Sequence, residues 1–134
     1  MPPSSITAPA RTSVLEQPFE YLASPYSDPD ARIRQQRYEA VCRAAAGLML
    51  QGRVIYCPIA HSHPIEAHMF ARQSHDFWLA QCRPLLQKAS GLLVLCLPGW
   101  QDSRGVQEEE RIATIRRIPI EYLQPWPWLR EEAA

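Results

Sequence analysis

Three acids in a row, Glu108, Glu109 and Glu110, follow Ser103, Arg104, Gly105 and Val106. A carboxylate can serve as a nucleophile or an acid–base group, so the question is where each one points. If residues 103–116 form a helix, steps of about 100° from Val106 place Ile115, Ile112 and Ala113 at about 180°, 240° and 340°. Glu109 then falls at about 300°, inside the apolar arc, with Glu108 at its edge near about 200° and Glu110 pointing away at about 40°. A carboxylate aimed into an apolar face is rarely a neutral surface choice, and Glu109 is the expected catalytic residue. Ser103 and Gly105 at the helix start offer a hydroxyl and free backbone N–H groups, a ready anion site. The plainer reading is a capping serine ahead of an acidic first turn.

The histidines are the next concentration of chemistry. His61, Ser62, His63 and Pro64 form a tight cluster, with His68, His75 and Asp76 downstream. That set has enough ligands for zinc, but an H-x-H pair is a weak signal, and ligand or backbone contact is the preferred role. Ser24-Pro25-Tyr26 forms a third polar cluster. Trp100 either covers a ligand ring or seals the end of a sheet. Arg32, Arg34 and Arg37 either reach a phosphate or form a solvated helical face.

These clusters need elements to hold them. Phe19 to Ala23 reads as a strand, and Ser27-Asp28-Pro29-Asp30 supplies helix-start chemistry for a helix from Ala31 to Gln51. Gly52 marks its end. Arg53 to Ile59 reads as a second strand running into a loop rich in His and Pro. Ser74 to Lys88 reads as a helix with Trp78, Cys82, Leu85 and Leu86 on one face. Gly91 to Leu97 is apolar throughout, as a central parallel strand should be. Ser103 to Arg116 is the third helix and Ile118 to Leu123 a last strand. The expected fold is a single small α/β domain, Rossmann-like or flavodoxin-like, with a four- to five-stranded, mainly parallel sheet flanked by helices. Ligands of such sheets bind beyond the carboxyl ends of the strands, where all three polar clusters fall.

The run Tyr21-Leu22-Ala23-Ser24-Pro25-Tyr26, the HSHPI segment at His61 to Ile65, and LPGWQDSRGVQEEERIA at Leu97 to Ala113 together resemble the DUF1937 proteins. That family is similar to the nucleoside 2-deoxyribosyltransferase superfamily, and the likeness covers about Tyr21 to Leu123. The resemblance implies cleavage or transfer of an N-glycosidic bond in a nucleoside or nucleoside 5′-monophosphate. It makes Glu109 the nucleophile, four residues after Gly105, and gives Ser103 and Gly105 a phosphate to hold. Tyr21, Ser24, Pro25 and Tyr26 would line the nucleoside pocket, together with His61, His63, Pro64 and Trp100. The helix N-terminus is expected to help lower the pKa of Glu109. Relatives carry an assisting aspartate where this chain has Cys82. Asp76 then takes over its catalytic part, or the base needs no donor, or the protein only binds. The resemblance also implies a homo-oligomer, a dimer or larger.

Composition bounds these readings. The chain has 134 residues, with 14 basic and 14 acidic side chains. One domain is expected at 19–124, between a flexible leader at 1–18 and a tail at 125–134. Zero net charge argues against a nucleic-acid partner, and no apolar run reaches a membrane span. Cys42, Cys57, Cys82 and Cys96 read as free thiols of a cytoplasmic protein. The Pro-Trp-Pro-Trp run at 125–128 either packs on the domain's own edge or on a second subunit. The leading function is therefore an N-glycosidase or deoxyribosyltransferase-like enzyme, with no cofactor and no metal. The alternatives are a nucleotide-binding module without turnover and, behind it, a His-loop metal protein.

Overall fold

Parallel pairing governs everything else in this chain. The structure, a computed structural model, describes residues 18–126 and 128. β1 (Glu20–Ala23) leads into α1 (Ala31–Leu50). Asp30 caps α1 by accepting from the Arg32 N–H at 2.8 Å. Gly52, at a φ of 92°, makes the left-handed turn beyond the helix end. β2 (Ile55–Tyr56) follows, then α2 (Pro58–Glu66), α3 (His75–Lys88), β3 (Gly91–Leu95), α4 (Arg104–Arg116) and β4 (Ile120–Leu123). A short 3₁₀ turn, Trp100–Asp102, precedes α4.

The sheet runs β2-β1-β3-β4 with every pairing parallel. Leu22 sits opposite Leu93 and Ala23 opposite Val94, and the strand period of two divides the core. Leu22, Leu93 and Leu95 face Val41, Ala44, Ala45 and Leu48 of α1. Tyr21, Ala23, Leu92 and Val94 face Leu86 of α3 and Val106, Ile112 and Ala113 of α4. Right-handed crossovers explain that split: the chain steps one way to β2 and the other way to β3 and β4, which puts α1 opposite α3 and α4. This is the small Rossmann-like α/β domain that the alternation of elements predicts.

Four expectations about elements need correction. The second strand shrinks to two residues, and the His-Pro stretch expected as a loop is α2. Pro58 occupies the first helical turn, where a missing N–H is harmless and a fixed φ is favourable. Pro64 sits seven residues in, near the helix end, so the two prolines disguise a short helix as a loop. The apolar arc of α4 is narrower than expected, with Ile115 67% exposed. Leu85 is likewise exposed on α3, while Leu79, outside the expected face, packs toward the core beside the expected Cys82. Among the described residues, no helix is long and apolar enough to cross a membrane. The expected leader lies outside the described residues except for position 18, as does the tail except for 125, 126 and 128.

Candidate functional site

Strand order reverses between β1 and β3, and in open parallel sheets that reversal splays the two following loops apart and leaves a crevice. A cavity of about 370 Å³ lies there. Ala23, Ser24, Tyr26 and Ser27 enter it from the end of β1. Pro58, Ile59, Ser62, His63 and Glu66 come from α2. Arg72, Gln73, His75, Trp78, Leu79 and Cys82 form the wall contributed by α3 and the loop before it, and Ser103, Gly105 and Glu109 the wall of α4.

Glu109 is half-buried and opens onto this cavity. Its Oε2 accepts a hydrogen bond of 2.5 Å from the hydroxyl of Tyr21, a fully buried side chain on β1. Burial pushes the Glu109 carboxyl up to about 7; the Tyr21 hydrogen bond opposes that rise and the neighbouring Glu110 adds to it. The expected lowering by the helix N-terminus is thus overturned. Glu109 lies in the second turn, where the helix field has already weakened, and loss of water around the carboxylate outweighs it. Burial and the Glu109 charge together hold the Tyr21 phenol well above its ordinary value, so it stays a donor. Cys82 borders both groups, its thiol raised by burial.

At the start of α4, Ser103 Oγ accepts from the Val106 N–H at 3.3 Å, so the capping reading holds. Ser103 also lines the cavity, and a hydroxyl that accepts at a cap still has a proton to donate. Beyond its own helix backbone, a Cβ at Gly105 would meet only Ser103 Oγ, at 3.9 Å. The protein itself therefore leaves the backbone open on the cavity side.

On the opposite wall His63 is held on three sides. Tyr26 Oη lies 2.7 Å from Nδ1, Gln35 Oε1 lies 3.0 Å from Nε2, and Tyr38 stacks on the ring at 4.0 Å. Gln35 in turn donates to Glu39 at 2.9 Å. The loop carrying Tyr26 is clamped by arginines. Arg34 donates to the Asp28 carbonyl, and Arg37 to the carbonyls of Ser27 and Pro98 at 3.0 and 3.4 Å. Arg32 pairs with Asp30 at 3.3 Å. These arginines shape the loop, and none lines the cavity.

The remaining expected site residues lie elsewhere. Pro25 is fully buried beneath its loop. His61 is exposed beside Tyr56, with ring centroids 6.3 Å apart, because two positions along a helix turn a side chain about 200° away from His63. Pro64 is exposed. Trp100 packs against Tyr122 at 5.4 Å and seals the sheet end. Asp76 does not meet Glu109: its side chain is 85% exposed in the first turn of α3 and lies 3.8 Å from Arg104. Tyr21 holds Glu109 from below and is not among the cavity walls. Among the described residues no group of three or more His, Cys, Asp or Glu side chains could hold a metal ion.

Several cavity residues escaped the sequence reading. Glu66 accepts from Trp78 Nε1 at 3.2 Å, a contact between two helices that periodicity cannot foresee. His75 keeps a buried Nε2 without a partner. The sequence offered it only as one of the downstream histidines of the weak zinc set, not as a cavity residue.

The family model described as a domain of unknown function, DUF1937, matches residues 19–124. The chain belongs to the DUF1937 family. No curated protein matches it. The DUF1937 match runs from the residue before β1 to the residue after β4, so it covers every element that builds the cavity.

Proposed function

We propose that this DUF1937 domain is a cytoplasmic N-glycosidase or deoxyribosyltransferase-like enzyme acting on a nucleoside or nucleoside 5′-monophosphate. The observation that carries the proposal is the Glu109 carboxylate, held by Tyr21 at 2.5 Å at the cavity wall, one turn beyond Ser103 and Gly105. A volume of about 370 Å³ suits a ligand of that size, toward the lower end of small-molecule sites. Four free cysteines suit a reducing compartment.

In this reading the ionised Glu109 attacks the anomeric carbon as the carbon–nitrogen bond breaks, and the base leaves with a proton. A glycosyl ester remains on Glu109. Water, or the nitrogen of a second base, then displaces the carboxylate and loses a proton. Tyr21 orients the nucleophile, while the Ser103 hydroxyl and the α4 N–H groups hold the 5′-phosphate. A homo-oligomer belongs to the same reading. Phe70, fully exposed on the loop that brings Arg72 and Gln73 to the cavity, is the surface a second copy would cover.

A nucleotide-binding module without turnover is the second reading. It is favoured by Cys82, a thiol raised by burial beside Glu109, where relatives place an acid. Incubating the protein with nucleosides and their 5′-monophosphates, and separating free base by chromatography, tests both. Wild type should release base, and Glu109→Gln should lose several decades of rate while remaining folded. Undiminished release from a folded Glu109→Gln variant would remove the nucleophile from the proposal. Specific binding with no base from wild type would leave the binding module.

A further inference from the structure

A purine or pyrimidine leaves poorly as an anion, so glycosidic cleavage needs a proton delivered to the departing ring. The acid expected from relatives is absent, since Cys82 is a weak donor and Asp76 faces solvent. We propose that Tyr26 and His63 together supply that proton, with Tyr26 Oη the atom that meets the base. The inference rests on the N-glycosidase reading above.

The hydrogen bonds define the direction of transfer. Gln35 donates its amide N–H to Glu39, which turns its carbonyl oxygen toward His63 Nε2. A carbonyl only accepts, so Nε2 carries a hydrogen in either charge state of the ring. All change is then confined to Nδ1, 2.7 Å from Tyr26 Oη. When the ring is an imidazolium, Nδ1–H donates to Tyr26 Oη, and the phenolic hydrogen is free to point into the cavity. When the ring is neutral, Tyr26 donates back to Nδ1. Tyr38, stacked at 4.0 Å, keeps the ring plane in register with both partners. Both Tyr26 and His63 line the cavity.

The step balances. A base nitrogen takes the hydrogen of Tyr26 Oη, Oη takes the hydrogen of Nδ1, and His63 becomes neutral as the glycosyl ester forms on Glu109. In the second step, water attacking the ester gives its proton to Tyr26, which returns one to Nδ1, and the imidazolium is restored. One pair thus acts first as acid and then as base. Burial and Glu66 raise the Tyr26 phenol while Arg34 and Arg72 lower it, with burial the largest influence. Tyr26 therefore relays a proton from His63 and does not surrender its own outright.

The test uses two leaving groups on the full chain. An N7-methylated purine nucleotide already carries the positive charge that protonation would supply, so its base leaves without a donor. Tyr26→Phe and His63→Gln should slow base release from the ordinary purine nucleotide by about 10²–10⁴-fold. With enzyme in excess over nucleotide, so that only the first step is read, release from the methylated nucleotide should stay within a few-fold of wild type. Misfolding or lost positioning would instead slow both substrates alike, and that result overturns the relay. Selective loss in His75→Gln with none in Tyr26→Phe would assign the donor to His75 and also overturn it. Glu109→Gln should be dead on both substrates. No release from wild type with either substrate overturns the N-glycosidase reading itself, and the relay with it.

Discussion

Glu109 decides most of what can be asked of single residues here. Its carboxyl is neutral in the folded protein up to about 7, against 4.5 for an ordinary glutamate. The folded state therefore holds a proton that the unfolded chain has released between those values. By linkage, stability falls as pH rises through that window, by roughly 3 kcal/mol at most. Glu109→Gln should flatten the slope and unfold at higher denaturant than wild type at pH 8, even as it removes the proposed nucleophile. Equilibrium unfolding at pH 5 and pH 8 checks this, and equal slopes in the two proteins would place the carboxyl in an ordinary solvated setting. Tyr21 provides the converse test. A hydrogen bond to a charged group is worth roughly 1.5–3 kcal/mol, so Tyr21→Phe should move the rising limb of the pH–rate profile upward by about 1–2 units. An unshifted limb with a lower plateau would mean that Tyr21 only places the carboxylate.

Elements were far more legible than contacts. The phase of α4 placed Glu109 between Ile112 and Ala113 because helix geometry fixes that relation once the helix exists. The error at Ile115 came from treating every apolar residue as core, whereas a helix lying on one face of a four-stranded sheet buries a narrower stripe. α2 was hidden by Pro58 and Pro64, which punctuate loops more often than helices. The Tyr26–His63 pair joins positions 37 apart, and the Tyr21–Glu109 pair joins positions 88 apart. Neither pairing has a local signature: the first arises because β2 lies beside β1 and the second because β3 lies on its other side. Asp76 lies six residues and about 240° from Cys82, so it could substitute only from a different angle, and its exposed side chain in the first turn of α3 does not do so. The start of α4 carries its own prediction. If the Ser103 hydroxyl holds a 5′-phosphate as well as capping Val106, Ser103→Ala should weaken nucleotide binding about tenfold or more and spare the unphosphorylated nucleoside. Titration calorimetry with the two ligands measures the difference, and equal losses would leave Ser103 a cap alone.

At the scale of the whole molecule, α1 closes one face of the sheet and the tail closes part of α1. Trp128 is half-buried against the α1 side of the core, and Arg43 Nε donates to its carbonyl at 2.8 Å. Of the two roles expected for the Pro-Trp-Pro-Trp run, Trp128 takes the first, packing on its own domain, while Trp126 is 54% exposed. Gly47 makes the docking possible, because a Cβ there would stand 2.4 Å from Trp128 Nε1. In a helix interior alanine is favoured over glycine by about 1 kcal/mol, so Gly47→Ala would ordinarily stabilise α1. With the tail docked, the indole must move aside, and the lost packing should cancel that gain or exceed it. A chain ending at residue 124 has no indole to displace and should show the full helical gain. Measuring Gly47→Ala in both lengths isolates the coupling between helix and tail. Equal stabilisation in the two would mean that Trp128 does not rest on Gly47 in solution. A gain confined to the shorter chain would make the tail a working part of the fold, stiffening the helix that carries Gln35, Tyr38 and Glu39 behind His63.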